Sequence, residues 1–264
     1  TGIAKHGLSQ TPHNTDMLIS IENLIGTDFT DLLRGNSQNN RLYGGDGNDY
    51  LFGEDGNDLL YGENSADWIY GGAGSDRLYG GEGNDLMFGE DGIDILDGGA
   101  GNDSIRGGAG GDRIFGRDGN DSLNGDEGVD IINGQHGDDT ISGGDDRDIL
   151  RGQEGEDTIH GDGGNDAIYG GDDNDTLFGD AGTDLIQGGD GDDTISGGDD
   201  NDRIEGGNGI DTVIFAGDMA DFTTTKSSSG IVTVTDLVAA GGQDLLTGVE
   251  FLQFDDGTID VALM

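Results

Sequence analysis

From Gly26 to Ile214 the chain repeats itself every nine residues, without insertion, through 21 consecutive nonamers. Two neighbours read Gly44-Gly45-Asp46-Gly47-Asn48-Asp49-Tyr50-Leu51-Phe52 and Gly53-Glu54-Asp55-Gly56-Asn57-Asp58-Leu59-Leu60-Tyr61. The first position is Gly in all 21, and the eighth is Leu, Ile, Val or Met in all 21. The sixth is Asp in 20, with Asn40 as the exception. The fourth is Gly in 15, replaced by Phe29, Gln38, Ser65, Asp146, Asp173 and Asp200. A strict period of this length marks a solenoid built from one small repeated unit.

Each position has a physical reading. Positions seven to nine form a short strand whose side chains point out, in and out, so the eighth is the single inward residue. Gly at positions one and four, and often two, permits the positive-φ backbone of a tight loop. Two nonamers then make one 18-residue coil, and coils stack at the interstrand spacing of about 4.8 Å. The expected fold is all-β, with two parallel sheets and a thin aliphatic core. The 56 glycines lack a three-residue period and there is one proline, Pro12, which excludes collagen. Acidity with few aromatics would suggest disorder, but a disordered chain does not place an aliphatic residue at a fixed interval.

Such a core is small for the backbone it must order, and stacking also sets loop beside loop. Asp49 falls next to Asp67, and Asp58 next to Asp76. Two carboxylates about 4 Å apart repel by roughly 4 kcal/mol at an effective dielectric near 20. The chain carries 56 acidic residues against 11 basic ones, a formal charge of −45. Nucleic acid and anionic membranes are therefore poor partners, and cations good ones. Calcium, which accepts irregular sets of carboxylate and carbonyl oxygens, suits the loops better than magnesium does. The 21 loops allow at most 19 inter-coil sites. There is no Cys and no apolar run long enough to span a membrane. The chain starts at Thr1 without a signal peptide, so a fragment or processed product is expected.

The nonamer resembles the G-G-x-G-x-D-x-U-x repeat of the RTX (repeat-in-toxin, hemolysin-type) proteins. The resemblance implies a right-handed parallel β-roll that holds calcium between loops through sixth-position carboxylates and backbone carbonyls. Carried over, the ligands are Asp49, Asp58, Asp67, Asp76, Asp85, Asp94, Asp103, Asp112, Asp121, Asp130, Asp139, Asp148, Asp157, Asp166, Asp175, Asp184, Asp193 and Asp202, with Asp31 and Asp211 at the ends. Asn40, Phe29 and Gln38 depart from the pattern, which sets the first two loops apart.

The segments outside the period differ in composition. Residues 1–25 read as lead-in strands, and His6 and His13 there read as solvated loop residues. Residues 215–264 bring in Phe215, Phe222, Phe251 and Phe254 with β-branched runs, and read as an antiparallel β cap over the last coil. The ending Asp260-Val261-Ala262-Leu263-Met264 resembles that of type I secretion substrates. On one outward face Tyr50, Phe52, Trp68, Tyr70, Leu86 and Phe88 line up in successive coils. The other face shows Tyr43, Tyr61 and Tyr79. These rows read either as ladders that stabilise parallel strands or as a docking patch for an upstream domain or a glycan.

No catalytic motif is present: there is no G-x-S-x-G and no H-E-x-x-H, and His136 and His160 lack a nucleophile arrangement. Carboxylate pairs that recur every nine residues are scaffold, since an active site is singular. The expected role is a non-enzymatic, calcium-dependent folding and type I secretion module of a larger polypeptide, secreted or at the surface of a Gram-negative bacterium. The alternative is a surface- or polysaccharide-binding adhesin module, or the non-catalytic part of a secreted enzyme.

Overall fold

A computed structural model describes residues 3–5, 23–238 and 242–264; His6, His13 and most of the lead-in lie outside the described residues. The chain divides into two compact units, 1–133 and 134–264. In the first unit, strands alternate between two sheets. One contains Asn23–Ile25, Arg41–Asp46, Leu59–Asn64, Arg77–Glu82, Ile95–Ala100 and Arg113–Asp118 in that order, and the other Leu32–Arg34, Tyr50–Asp55, Trp68–Ala73, Leu86–Asp91, Ser104–Ala109 and Ser122–Glu127. The pairings among these strands are parallel and in register at an offset of 18, such as Leu42 with Leu60 and Leu51 with Ile69. The second unit repeats this arrangement, with Ile168 beside Ile186 and Ile159 beside Leu177. Both units are parallel β-solenoids. Among the described residues no helix is long and apolar enough to cross a membrane.

The core is the eighth position. Leu42, Leu60, Leu78, Ile105, Ile159, Ile186 and Ile204 are all buried, one per strand. Because one aliphatic chain stands against the ordering of nine residues, hydrophobic burial alone is a thin source of stability.

The strands are longer than the pattern predicts. Most span six residues, from position seven of one nonamer to position three of the next, as in Arg41–Asp46. The second position keeps pairing with the next coil despite a left-handed backbone: Glu54, Glu63, Arg117, Gln135 and Asp162 have φ between 65° and 90°. The fourth position is left-handed too, in Gly47 and equally in Ser65, Asp146, Asp173 and Asp200. The first-position Gly is not, which corrects the reading of it as a conformational residue. It is there for space. A Cβ on Gly62 would stand 2.3 Å from Asp67 Oδ2 and 2.7 Å from the Gly80 carbonyl oxygen.

The period also returns after it ends. In the second unit Gln243–Thr247 pairs in parallel with Arg203–Asn208, and Phe251–Phe254 with Thr212–Ile214. Leu246 and Leu252 fill the core positions. Residues 215–242 interrupt the period: Val232–Asp236 pairs antiparallel with Gln243–Thr247, and Phe222–Lys226 pairs antiparallel with Val232–Asp236. Phe251–Phe254 turns back antiparallel into Gly257–Asp260. Phe215, Phe222 and Phe254 close the end with ring centroids 5.2–5.6 Å apart.

Candidate metal centre

The sixth-position aspartates point inward from the loops and are buried, at no more than 3% exposure from Asp49 to Asp211. Their stacking is set by hydrogen bonds along each column. In the first unit the Asp49 N–H donates to Asp67 Oδ1 (2.7 Å), Asp67 N–H to Asp85 Oδ1 (2.8 Å) and Asp85 N–H to Asp103 Oδ1 (2.8 Å). A second column runs from Asp58 through Asp76 and Asp94 to Asp112 and Asp130. In the second unit Asp139, Asp157, Asp175, Asp193 and Asp211 form one such column, and Asp148, Asp166, Asp184 and Asp202 another. Asp121 is buried at the same position of its own loop.

One oxygen of each carboxylate is thus engaged. The other, Oδ2, is buried and meets no donor among the described residues in Asp49, Asp58, Asp67, Asp76, Asp85, Asp94, Asp103 and Asp112, and again in Asp157, Asp166, Asp175, Asp184, Asp193, Asp202 and Asp211. Beside it lies another acceptor. The point that a Cβ of Gly53 would occupy is 2.4 Å from both Asp58 Oδ2 and the Gly71 carbonyl oxygen, and Gly188 has the same surroundings in Asp193 and Gly206. Buried oxygens that converge without a donor are costly unless a proton or a cation joins them.

The carboxyl acidities express that cost. Asp49, Asp67, Asp94, Asp103, Asp184 and Asp202 are pushed from 3.8 up to about 7, and Asp175 to about 8. Burial is the largest cause throughout, opposed by the backbone hydrogen bond, and in these residues neighbouring carboxylates add a smaller upward push. Like-charge repulsion, the cost expected from the sequence, is outweighed by desolvation of the single carboxylate. A hard divalent cation that takes carboxylate and carbonyl oxygens relieves both, and the donor set, oxygen only, is that of calcium.

The first two loops are built differently. Asp31 Oδ2 accepts from the Thr27 N–H (2.6 Å) and hydroxyl (2.9 Å), so its oxygen is already served, unlike those of the later aspartates. Asn40 gives its amide Nδ2 to the Gln38 carbonyl at 2.7 Å. Thr27, Phe29, Asn36 and Gln38 also lack the left-handed backbone of the later loops.

Two acidic residues missed in the sequence extend the columns at the far end. Asp202 N–H donates to Asp244 Oδ1 (3.0 Å) and Asp211 N–H to Glu250 Oε2 (2.9 Å). Asp244 is buried and raised to about 6, first by burial. Its signal was present: Asp244, Leu246 and Gly248 keep the spacing of positions six, eight and one.

The outward aromatics form stacks. Phe52, Tyr70 and Phe88 lie face to face at 5.0 and 4.9 Å, and Tyr43, Tyr61 and Tyr79 at 4.9 and 4.8 Å. Tyr50 and Trp68 are tilted by 57° and are the more exposed members.

Comparison with family models agrees with this geometry. The model of the RTX calcium-binding nonapeptide repeat (four copies) matches eight overlapping stretches that run without a gap from residue 25 to residue 213. The chain belongs to this family. A comparison with curated proteins finds no match. As an RTX repeat chain, it is a calcium-binding repeat domain.

Proposed function

We propose that this RTX chain is a calcium-triggered folding module that serves as the C-terminal folding and type I secretion region of a larger secreted protein. The observation that carries the reading is the inward columns of buried carboxylates, two in each unit, in which the Oδ2 atoms from Asp49 to Asp112 and from Asp157 to Asp211 meet no donor. Folding without a cation requires those groups to be protonated or left uncompensated. Folding with one converts binding free energy into folding free energy. Loops of this kind in extracellular modules bind calcium at roughly 10⁻⁴–10⁻³ M, so the chain stays unfolded where calcium is scarce and folds where it is plentiful. The ligands are the sixth-position aspartates from Asp49 to Asp211, with the carbonyls of the adjacent glycines, and Asp244 as a further one in the cap. We assign residues 215–264 to capping and secretion, and no catalytic role to any part.

The outward aromatic rows fit a structural ladder better than a glycan platform. A sugar ring packs on an aromatic face, and in both stacks the central ring, Tyr61 or Tyr70, has both faces taken by its neighbours and each outer ring has one. The test of the main reading is circular dichroism at pH 7.5 with chelator and then with millimolar calcium. A large gain of β-structure on adding calcium is expected; a chelated chain already rich in β-structure overturns the proposal.

A further inference from the structure

On the outer faces, the ninth residue of a nonamer and the second residue three nonamers on meet along a diagonal of 20 positions. In the first unit this diagonal is an arginine–carboxylate pair each time it forms an ion pair: Arg34 with Glu54, Arg106 with Asp126, and, with the roles exchanged, Asp97 with Arg117. The second unit places different chemistry on it. Ser142 Oγ donates to Asp162 Oδ2 at 2.5 Å, and His160 Nδ1 lies 3.0 Å from Asp180 Oδ2. Asp162 and Asp180, 18 residues apart, are therefore second-position neighbours whose diagonal partners are a serine and an imidazole instead of guanidinium groups.

These groups converge. One ligand atom from each of His160, Asp162 and Asp180 lies within 4.8 Å of the other two. The imidazole is held in place by stacking on Phe178, with centroids 4.4 Å apart and planes 11° from parallel. We infer that His160, Asp162 and Asp180 form a surface site for a borderline divalent metal ion of the zinc class, distinct from the oxygen-only loops. An imidazole nitrogen with two carboxylate oxygens is a donor set that such ions prefer and calcium does not. His160 Nδ1 and Asp180 Oδ2, 3.0 Å apart, already stand close enough to share an ion through zinc bonds of about 2.0–2.2 Å, and the exposed Asp162 side chain has room to close in. Water completes the coordination on the solvent side. Two carboxylates that lack the arginine of the equivalent diagonals thereby gain a cation.

The experiment uses the full chain folded in millimolar calcium, so that the loops are saturated, and titrates zinc by calorimetry. One equivalent that excess calcium does not displace is expected. His160→Ser should weaken zinc binding at least tenfold while circular dichroism is unchanged, because Ser142 holds the same outward position in the preceding coil. Asp180→Asn should weaken it comparably, and His136→Ser should not. In the unsubstituted protein the His160 ring resonances should shift on zinc addition. Zinc binding that survives both His160→Ser and Asp180→Asn, displacement by calcium, or unshifted His160 resonances overturns the site.

Discussion

Asp67 shows why a buried carboxylate of the columns favours a cation. Its Oδ1 accepts the Asp49 N–H at 2.7 Å, while Oδ2 is buried without a donor, near the carbonyl oxygen of Gly80. An amide serves the first role and reverses the second, as Asn40 does by donating to the Gln38 carbonyl. Asp67→Asn should therefore leave the chelated chain no less folded, yet lower the calcium stoichiometry and raise the half-saturating concentration severalfold, measured by calorimetry and circular dichroism. Unchanged stoichiometry would show that Asp67 is a hydrogen-bond acceptor and no more. At this scale the sequence was readable where a residue type has one use: the aspartate at six and the aliphatic at eight stand where the period put them. It was less readable where one residue type serves two needs. The first-position glycine looked conformational, but its use is to leave room for a carboxylate oxygen and a carbonyl oxygen. The fifth-position Asn had no assigned role, and it forms an outer ladder of its own. Asn57 Oδ1 accepts the Ser75 N–H at 3.2 Å and Asn102 Oδ1 the Asn120 N–H at 3.1 Å.

At the scale of elements, the six-residue strands arise because pairing between coils resumes at positions two and three despite the left-handed turn. Side-chain alternation over positions seven to nine could not show this, since main-chain pairing leaves no mark on residue type. The returning coil at Gln243–Thr247 was hidden for another reason. The inserted residues put Asp202 and Asp244 42 positions apart in place of 18, so a search at fixed period loses the frame. The aromatic rows were legible as rows, and their ring geometry favours the ladder over the docking patch. Tyr70 stacks on both Phe52 and Phe88. Aromatic pairs contribute about 0.5–1.5 kcal/mol each beyond burial, so Tyr70→Ser should destabilise the calcium-loaded fold by about 1–3 kcal/mol. Urea unfolding checks this, with calcium stoichiometry expected to stay the same. A variant as stable as the parent would return the aromatic row to the role of a docking surface.

For the whole molecule, the −45 charge and the buried carboxyls act together, and pH separates a cation requirement from a general one for low charge. The folded carboxyls lie at about 6 to about 8, above their ordinary 3.8, because burial disfavours the charged form. Between those limits the folded chain holds protons that the unfolded chain has released, so without calcium stability falls as pH rises through the window. Their protons stand in for the cation: a carboxylic acid can donate toward the neighbouring carbonyl that a carboxylate cannot serve. The chelated chain should therefore gain β-structure as pH is lowered from 8 to about 5, followed by circular dichroism. Calcium should shift the pH at which folding is lost upward, since it replaces the protons. Binding must then release protons. In a weakly buffered solution near pH 6, calcium addition should acidify the medium by more than one proton per chain, and near pH 9 by almost none. Equal release at both values would place the carboxyls at their ordinary acidity and remove the desolvated columns as the source of calcium dependence.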